Sequence, residues 1–301
     1  MTRLSPRMWA VWLVAVVLVS AALACNAAGL SSGEGSEATV ESVYATITAQ
    51  SLTAEPGGDA VTATAAPGDD QDDVEPGLTP QAPNARPGNG EVAQVPPCTG
   101  SITIDGLLGD ASSAASLSLS ANTFGSGQWG GASDLSGEAR LCWTERALYL
   151  AVDVTDDVHV QNQTGRNMWR GDEVEVVFDA DLQGDYYAES WNSDDTQLGL
   201  SPGDFGERSP EAVMYRPDVR SAGEIDLAAQ GDGSGGYTLE AAIPWSLLRA
   251  TPESGKVFGF CVALSDNDQE GEASQDSMVS HCPRLLVSNP TTWSTLELLG
   301  Q

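Results

Sequence analysis

Apolar and polar residues alternate through much of the second half of the chain, most sharply between Ala139 and Asp179. Leu141 and Trp143 are flanked by polar neighbours, Glu145-Arg146 reads as a short turn, and Leu148, Leu150, Val152 and Val154 then recur at every second position. A period of two puts those side chains on one face, which a strand with one buried side requires. Asp156-Asp157 ends the run, and a polar loop leads to Trp169-Arg170-Gly171-Asp172. The next strand sets Val174, Val176 and Phe178 against Glu173 and Glu175. Half-buried strands of this kind predict an antiparallel sheet packed on a second sheet.

The remaining elements follow the same logic. SITID at 101–105 reads as a short strand ending at Gly106, and the small residues after it as loops with one strand near Leu117–Leu119. Residues 180–221 are polar, with Tyr186, Tyr187, Trp191, Phe205 and Tyr215 scattered among them. Such aromatics either pack inward or form a binding surface. Tyr237, Leu239, Ala241 and Ile243 are in phase on a strand that Pro244 stops, and Trp245–Leu248 follows as a helical turn. Val257–Leu264 and Thr295–Leu299 are the last clear strands. Trp143, in phase with Leu141, and Trp245, after the Ile-Pro turn, are expected in the core. With no long 3.6-residue period beyond the N-terminus, the class is all-β: an antiparallel β-sandwich of jelly-roll or immunoglobulin-like type.

The first 97 residues are different. Arg3 and Arg7 precede the apolar run Met8–Val19, and small residues lead to Cys25, the pattern of an export signal. The sequence before Cys25 resembles the bacterial lipobox, with Ala22 where Leu is more usual. The resemblance implies cleavage after residue 24, lipid on Cys25 and an exported, membrane-anchored lipoprotein on the bacterial surface. Residues 25–97 are rich in Ser, Thr, Pro and acids and predict a disordered tether. As a flexible coil it would span roughly 45–50 Å. The folded part is then 98–301, long enough for one sandwich with a sizeable core.

Charge and cysteines narrow the picture. Forty-three acidic against 13 basic residues give a formal charge of −30, which excludes nucleic acid and anionic lipid surfaces as partners of the folded part. Cys98, Cys142, Cys261 and Cys282 allow three disulfide pairings in an exported domain, or four buried thiols. A hairpin folded near Gly271 would bring Cys261 opposite Cys282 and leave Cys98 for Cys142.

The order of ITIDG at 102–106, WTERALYLAVDVTDD at 143–157, WRGDEVEVVFD at 169–179, YTLEAAIPWSLL at 237–248, FGFCVALSDND at 258–268 and NPTTWSTLEL at 289–298 resembles the family 9 carbohydrate-binding modules. Gly109-Asp110-Ala111-Ser112 departs from it, since such modules often carry a Trp there. The resemblance implies a sandwich that binds poly- or oligosaccharide between aromatic faces, holds structural Ca²⁺, and keeps substrate near extracellular glycoside hydrolases. Sugars stack their weakly apolar faces on indoles and need polar side chains at the rim. Trp129, Trp169, Trp191 and Trp293, at loops or strand ends, are the candidate platforms, with Arg170, Asn192 and Gln197 as hydroxyl partners. Asp156, Asp157, Asp266, Asn267 and Asp268 are the candidate calcium ligands, because hard cations collect several oxygens from tight loops.

Catalysis finds little support: His159 and His281 carry no Ser-His-Asp order or zinc-ligand cluster. The alternatives to carbohydrate binding are a haem-binding electron-transfer sandwich, with Met168, Met214, Met278 and His281 as axial candidates, and a structural surface domain.

Overall fold

A computed structural model describes residues 84–300 apart from Ser112 and Ser113. The expected signal, Cys25 and the tether up to residue 83 lie outside the described residues. In chain order the strands are β1 Ala93–Val95, β2 Ala115–Leu119, β3 Ala121–Phe124, β4 Leu135–Trp143, β5 Ala147–Asp156, β6 Glu173–Asp179 and β7 Asp195–Ser201. They continue as β8 Glu211–Arg216, β9 Arg220–Ser221, β10 Asp226–Gly231, β11 Tyr237–Pro244, β12 Val257–Asp266, β13 Ser277–Ser280 and β14 Ser294–Leu298.

One sheet has the order β10-β11-β5-β4-β2; the other runs β1-β14-β12-β6-β7-β8-β9, with β13 and β3 branching from β12. Pairing is antiparallel except where β1 runs parallel to β14. The period-two residues set the register: Leu141 faces Leu150, Leu150 faces Ala241, and Leu148 faces Ile243, so each row of inward side chains is continuous across the smaller sheet. From the larger sheet, Val174, Val176, Phe178, Phe258, Phe260, Val262 and Leu264 close the same core. Each such side chain contributes roughly 1.5–3 kcal/mol on burial. The half-buried Arg140–Glu138 pair and the exposed Arg220–Glu224 pair are screened by solvent and add little. Apolar packing between the sheets therefore holds the fold.

Four expectations need correction. Residues 101–106 form no strand; they lie along the smaller sheet, with the Asp105 and Gly106 amides donating to the Glu240 carboxylate at 3.1 and 2.9 Å. Gly106 has φ +82°, and a Cβ there would lie 3.0 Å from the Ala229 backbone, so only glycine fits this approach. The polar stretch 180–221 contains β7, β8 and β9, with β10 just beyond. Strand β6 is buried on both faces, Glu173 and Glu175 included. Finally, order begins before Cys98: Ala93 and Val95 are fully buried on β14, and Arg86 is 4% exposed.

Cys98 is disulfide-bonded to Cys142 and Cys261 to Cys282. The second bridge lies across the β12–β13 hairpin, two residues beyond the Ala263–Ser280 pair. Its closed loop is short (sequence separation 21), and removing it should cost about 3 kcal/mol by loop-closure entropy. Urea unfolding of the Cys261→Ala/Cys282→Ala double variant checks this; an unchanged midpoint would show that the bridge does not constrain the unfolded chain.

Candidate functional site

The outer face of β6, β7 and β8 carries a continuous row of polar and aromatic side chains. A 3₁₀ turn, Gly165–Arg170, crosses one end and packs Met168 and Trp169 with Val213 and Tyr215. The Tyr215 hydroxyl donates to Glu173 Oε2 at 2.9 Å, and the Gln197 amide donates to Glu175 Oε1 at 3.1 Å. Gln197 pairs in register with Arg216, whose guanidinium lies 5.8 Å from the Trp191 ring centre. Arg170 similarly covers Trp169 at 5.0 Å. Gly199 makes this arrangement possible, because a Cβ there would meet Glu173, Tyr215 and Met168 within 2.8 Å.

Burial governs the electrostatics of this row. It pushes the Glu175 carboxyl up to about 7, with the Gln197 amide opposing. Glu173 is raised well above the carboxylate range by burial first and the Glu175 charge second, while Tyr215 lowers it. Half-buried indoles thus sit at both ends of a face whose middle offers a carboxyl, an amide and a guanidinium. Such a face can stack a flat, weakly apolar ring and exchange hydrogen bonds with its hydroxyls.

A second group of acids gathers where β5 and β12 end. Ligand-capable oxygens of Asp156, Asp266 and Asp268 lie within 4.8 Å of one another, and Asp268 also belongs to a like group with Asp134 and Asp157. Asp156 Oδ2, Asp266 Oδ1 and Asp268 Oδ1 are buried with no hydrogen-bond partner. Desolvation leads the upward shifts of all three, Asp156 to about 9, Asp266 to about 7 and Asp268 to about 6, with neighbouring carboxylates adding to each. Orphaned oxygens and mutual repulsion together make an all-oxygen donor set suited to a hard cation.

The candidates read from sequence separate on this structure. Trp169, Arg170, Gln197 and Trp191 share the outer face; Trp129 does not, since it packs on the main core and donates from Nε1 to the Leu135 carbonyl at 3.0 Å. Asn192 turns toward its own loop, bonding Asp185 and accepting from the Asp194 amide. Trp293 is fully buried among Val177, Cys261, Cys282 and Leu285 and presents no face to a ligand. Its place at a strand end misled, because a second buried cluster covers that end of β14. Asn267 holds its loop: its amide bonds the Arg170 and Glu272 carbonyls and its Oδ1 accepts from the Gln269 amide, so it is not in the carboxylate group. Of the haem candidates, Met214 lies in the main core and Met168 under Trp169, apart from Met278 and His281, which are buried next to Cys282, so the four form no common site. Sequence reasoning missed Glu175, Arg216 and Asp134, and left Tyr215 only among the scattered aromatics of 180–221. Glu175 had a signal too, since a Glu-x-Glu strand was visible but looked solvated.

A family model described as "Carbohydrate family 9 binding domain-like" matches residues 104–301. Endo-1,4-beta-xylanase A of Thermotoga neapolitana is 28% identical over 138 residues, 45% of this chain and 11% of that enzyme. Exoglucanase XynX of Acetivibrio thermocellus is 28% identical over 142 residues, 47% of this chain and 12% of the enzyme. The match thus spans about a tenth of these relatives. Among solved structures, a carbohydrate-binding module family 9 from Caldicellulosiruptor kristjanssonii in complex with cellotriose has a TM-score of 0.53 at 19% identity, over 69% of this chain and 94% of that one. Its complex with glucose gives 0.54 at 19% identity, over 69% and 96%. At that identity the likeness concerns the fold, a sandwich.

Proposed function

Since the chain belongs to the carbohydrate family 9 binding domain-like family, we propose that it binds saccharide non-catalytically on the outer face of β6–β8. The observation that carries this is Glu175, a buried acid held by Gln197 between the half-exposed Trp169 and Trp191. An indole takes the apolar face of a sugar ring, Glu175 accepts from a hydroxyl, and Arg216 donates to another. The Caldicellulosiruptor relative, solved with glucose and with cellotriose, makes β-linked glucose the first ligand class to try. Binding suits the acids better than hydrolysis does. Glycoside hydrolysis needs two carboxyls flanking a bond, whereas Glu173 is fully buried and held by the Tyr215 hydroxyl, which leaves Glu175 alone on the face.

The Asp156, Asp266 and Asp268 carboxylates would hold Ca²⁺, with Asp134 and Asp157 beside Asp268, and the ion would pin the ends of β5 and β12 together. In the cell, lipid on Cys25 and the acidic tether would hold the domain off the membrane, keeping polysaccharide near secreted hydrolases.

The test is titration of glucose, cellotriose and xylotriose into the full chain, in Ca²⁺ and again in chelator. Saturable binding of at least one supports the proposal; binding of none by a cooperatively folding protein overturns it.

A further inference from the structure

Beyond the face just described, the loop after β6 builds a separate cleft. It is lined by Arg86, Asn89, Tyr186, Tyr187, Glu189 and Thr291 and has a volume of about 440 Å³. That lies within the roughly 300–1,000 Å³ range of small-ligand sites. Four residues of β6, roughly 13 Å at strand rise, separate Glu175 from Asp179, which sits behind this cleft.

Three observations point to an occupant. Tyr187 is 75% exposed, the largest exposure of any large apolar side chain among the described residues, yet it is fixed edge-on against Tyr186 at 4.9 Å. Tyr186 is itself held, its hydroxyl donating to the Ala85 carbonyl at 3.1 Å and its ring lying 4.9 Å from the Arg86 guanidinium. Arg86 is 4% exposed; Nη1 and Nη2 reach the Pro290 and Tyr186 carbonyls at 2.8 Å, but the buried Nε has no hydrogen-bond partner. A buried N–H left unpaired is costly unless an acceptor arrives.

Charge selects the kind of acceptor. The Arg86 charge is met by Asp179 at 3.4 Å, Asp185 and Asp194 lie close to Asp179, and Glu189 is exposed on the rim. An anion would meet this acidic surround, so the acceptor is neutral. A wholly apolar ligand would leave Arg86 Nε unpaired and cover the Glu189 carboxylate with nothing to donate to it. A rigid exposed ring beside neutral hydrogen-bonding groups suits a hydroxylated ring. We propose that the cleft is a second saccharide subsite, in which Tyr187 stacks on a neutral sugar ring and Arg86, Asn89 and Glu189 serve its oxygens. It stands on residues other than those of the β6–β8 face and does not depend on that reading.

Calorimetric titration of cellotriose into the full chain, Tyr187→Ala, Glu189→Ala and Trp169→Ala tests it. Tyr187 is exposed, so its loss leaves the fold intact. Two binding events are expected in the wild type. Tyr187→Ala should weaken one of them about tenfold, the loss of one aromatic stack, and Trp169→Ala should weaken only the other. A single event abolished by Tyr187→Ala but kept by Trp169→Ala would support the cleft and remove the β6–β8 face. Unchanged stoichiometry and affinity in both Tyr187→Ala and Glu189→Ala would overturn the cleft alone. No binding by the wild type would overturn both.

Discussion

Millimolar Ca²⁺ should raise the thermal midpoint of the chelated chain by roughly 5–10 °C at pH 8 and by far less at pH 5. An ion at a hundred times its dissociation constant adds about 2.7 kcal/mol, and a domain of this size gains about 2–4 °C per kcal/mol. The pH dependence follows from the acids themselves. Folding raises Asp268 to about 6, Asp266 to about 7 and Asp156 to about 9, each with burial as the first cause. In the unfolded chain these carboxyls titrate at about 3.9. Between the unfolded and folded values the native state therefore binds more protons. The stability this gives the metal-free fold is fully present below the unfolded value and is lost as pH rises through about 6 to about 9. Calcium needs the ionised carboxylates, so its stabilisation grows across the same window. Scanning calorimetry at pH 5 and pH 8, with and without chelator, measures both effects. Asp268→Asn, which alters the acid shared by the two groups, should stabilise the chelated chain while shrinking the calcium increment. A midpoint at pH 8 indifferent to Ca²⁺ would remove the ion from this site.

How far the sequence disclosed this molecule depended on which strand face carried the information. Inward faces were legible, because Leu148, Leu150, Val152 and Val154 have no neighbour that breaks their period. Strands β7 and β8 escaped notice because their outward positions hold Gln197, Gly199 and Tyr215 and no regular polar partner. Those same positions build the candidate site, so Gln197 was visible as a lone polar candidate while the strands that carry it were not. Glu173 and Glu175 show the reverse error: a polar alternation that means solvent on an ordinary sheet means a buried carboxyl pair when a turn such as Gly165–Arg170 lies over it. The acids at 156–157 and 266–268 were conspicuous in sequence, but only the pairing of β12 with β6 and of β5 with β4 brings in Asp172 and Asp134 from elsewhere.

Trp169→Ala and Glu175→Gln should each weaken cellotriose binding by about ten- to a hundredfold without unfolding the chain. For Trp169 the loss is a stacking face and its buried area; one to two powers of ten correspond to about 1.4–2.8 kcal/mol, within the reach of one aromatic platform. For Glu175 it is a hydrogen bond to an ionised acceptor, about 1.5–3 kcal/mol. Stability separates this acid from a structural one. Its pKa is raised to about 7, so at pH 8 the native protein holds an ionised carboxyl that burial disfavours. Glutamine keeps the shape and removes that charge, so Glu175→Gln should unfold at the same midpoint or a higher one while binding falls. Trp293→Ala is the counterpart: it empties a fully buried site, should cost about 3–5 kcal/mol of stability, and removes no group that faces ligand. Binding isotherms and urea midpoints on the three variants give a pattern that chance destabilisation cannot imitate, because Glu175→Gln must move the two readouts in opposite senses. If Trp169→Ala and Glu175→Gln both bind cellotriose as the parent does, the outer face of β6–β8 is not where the sugar sits.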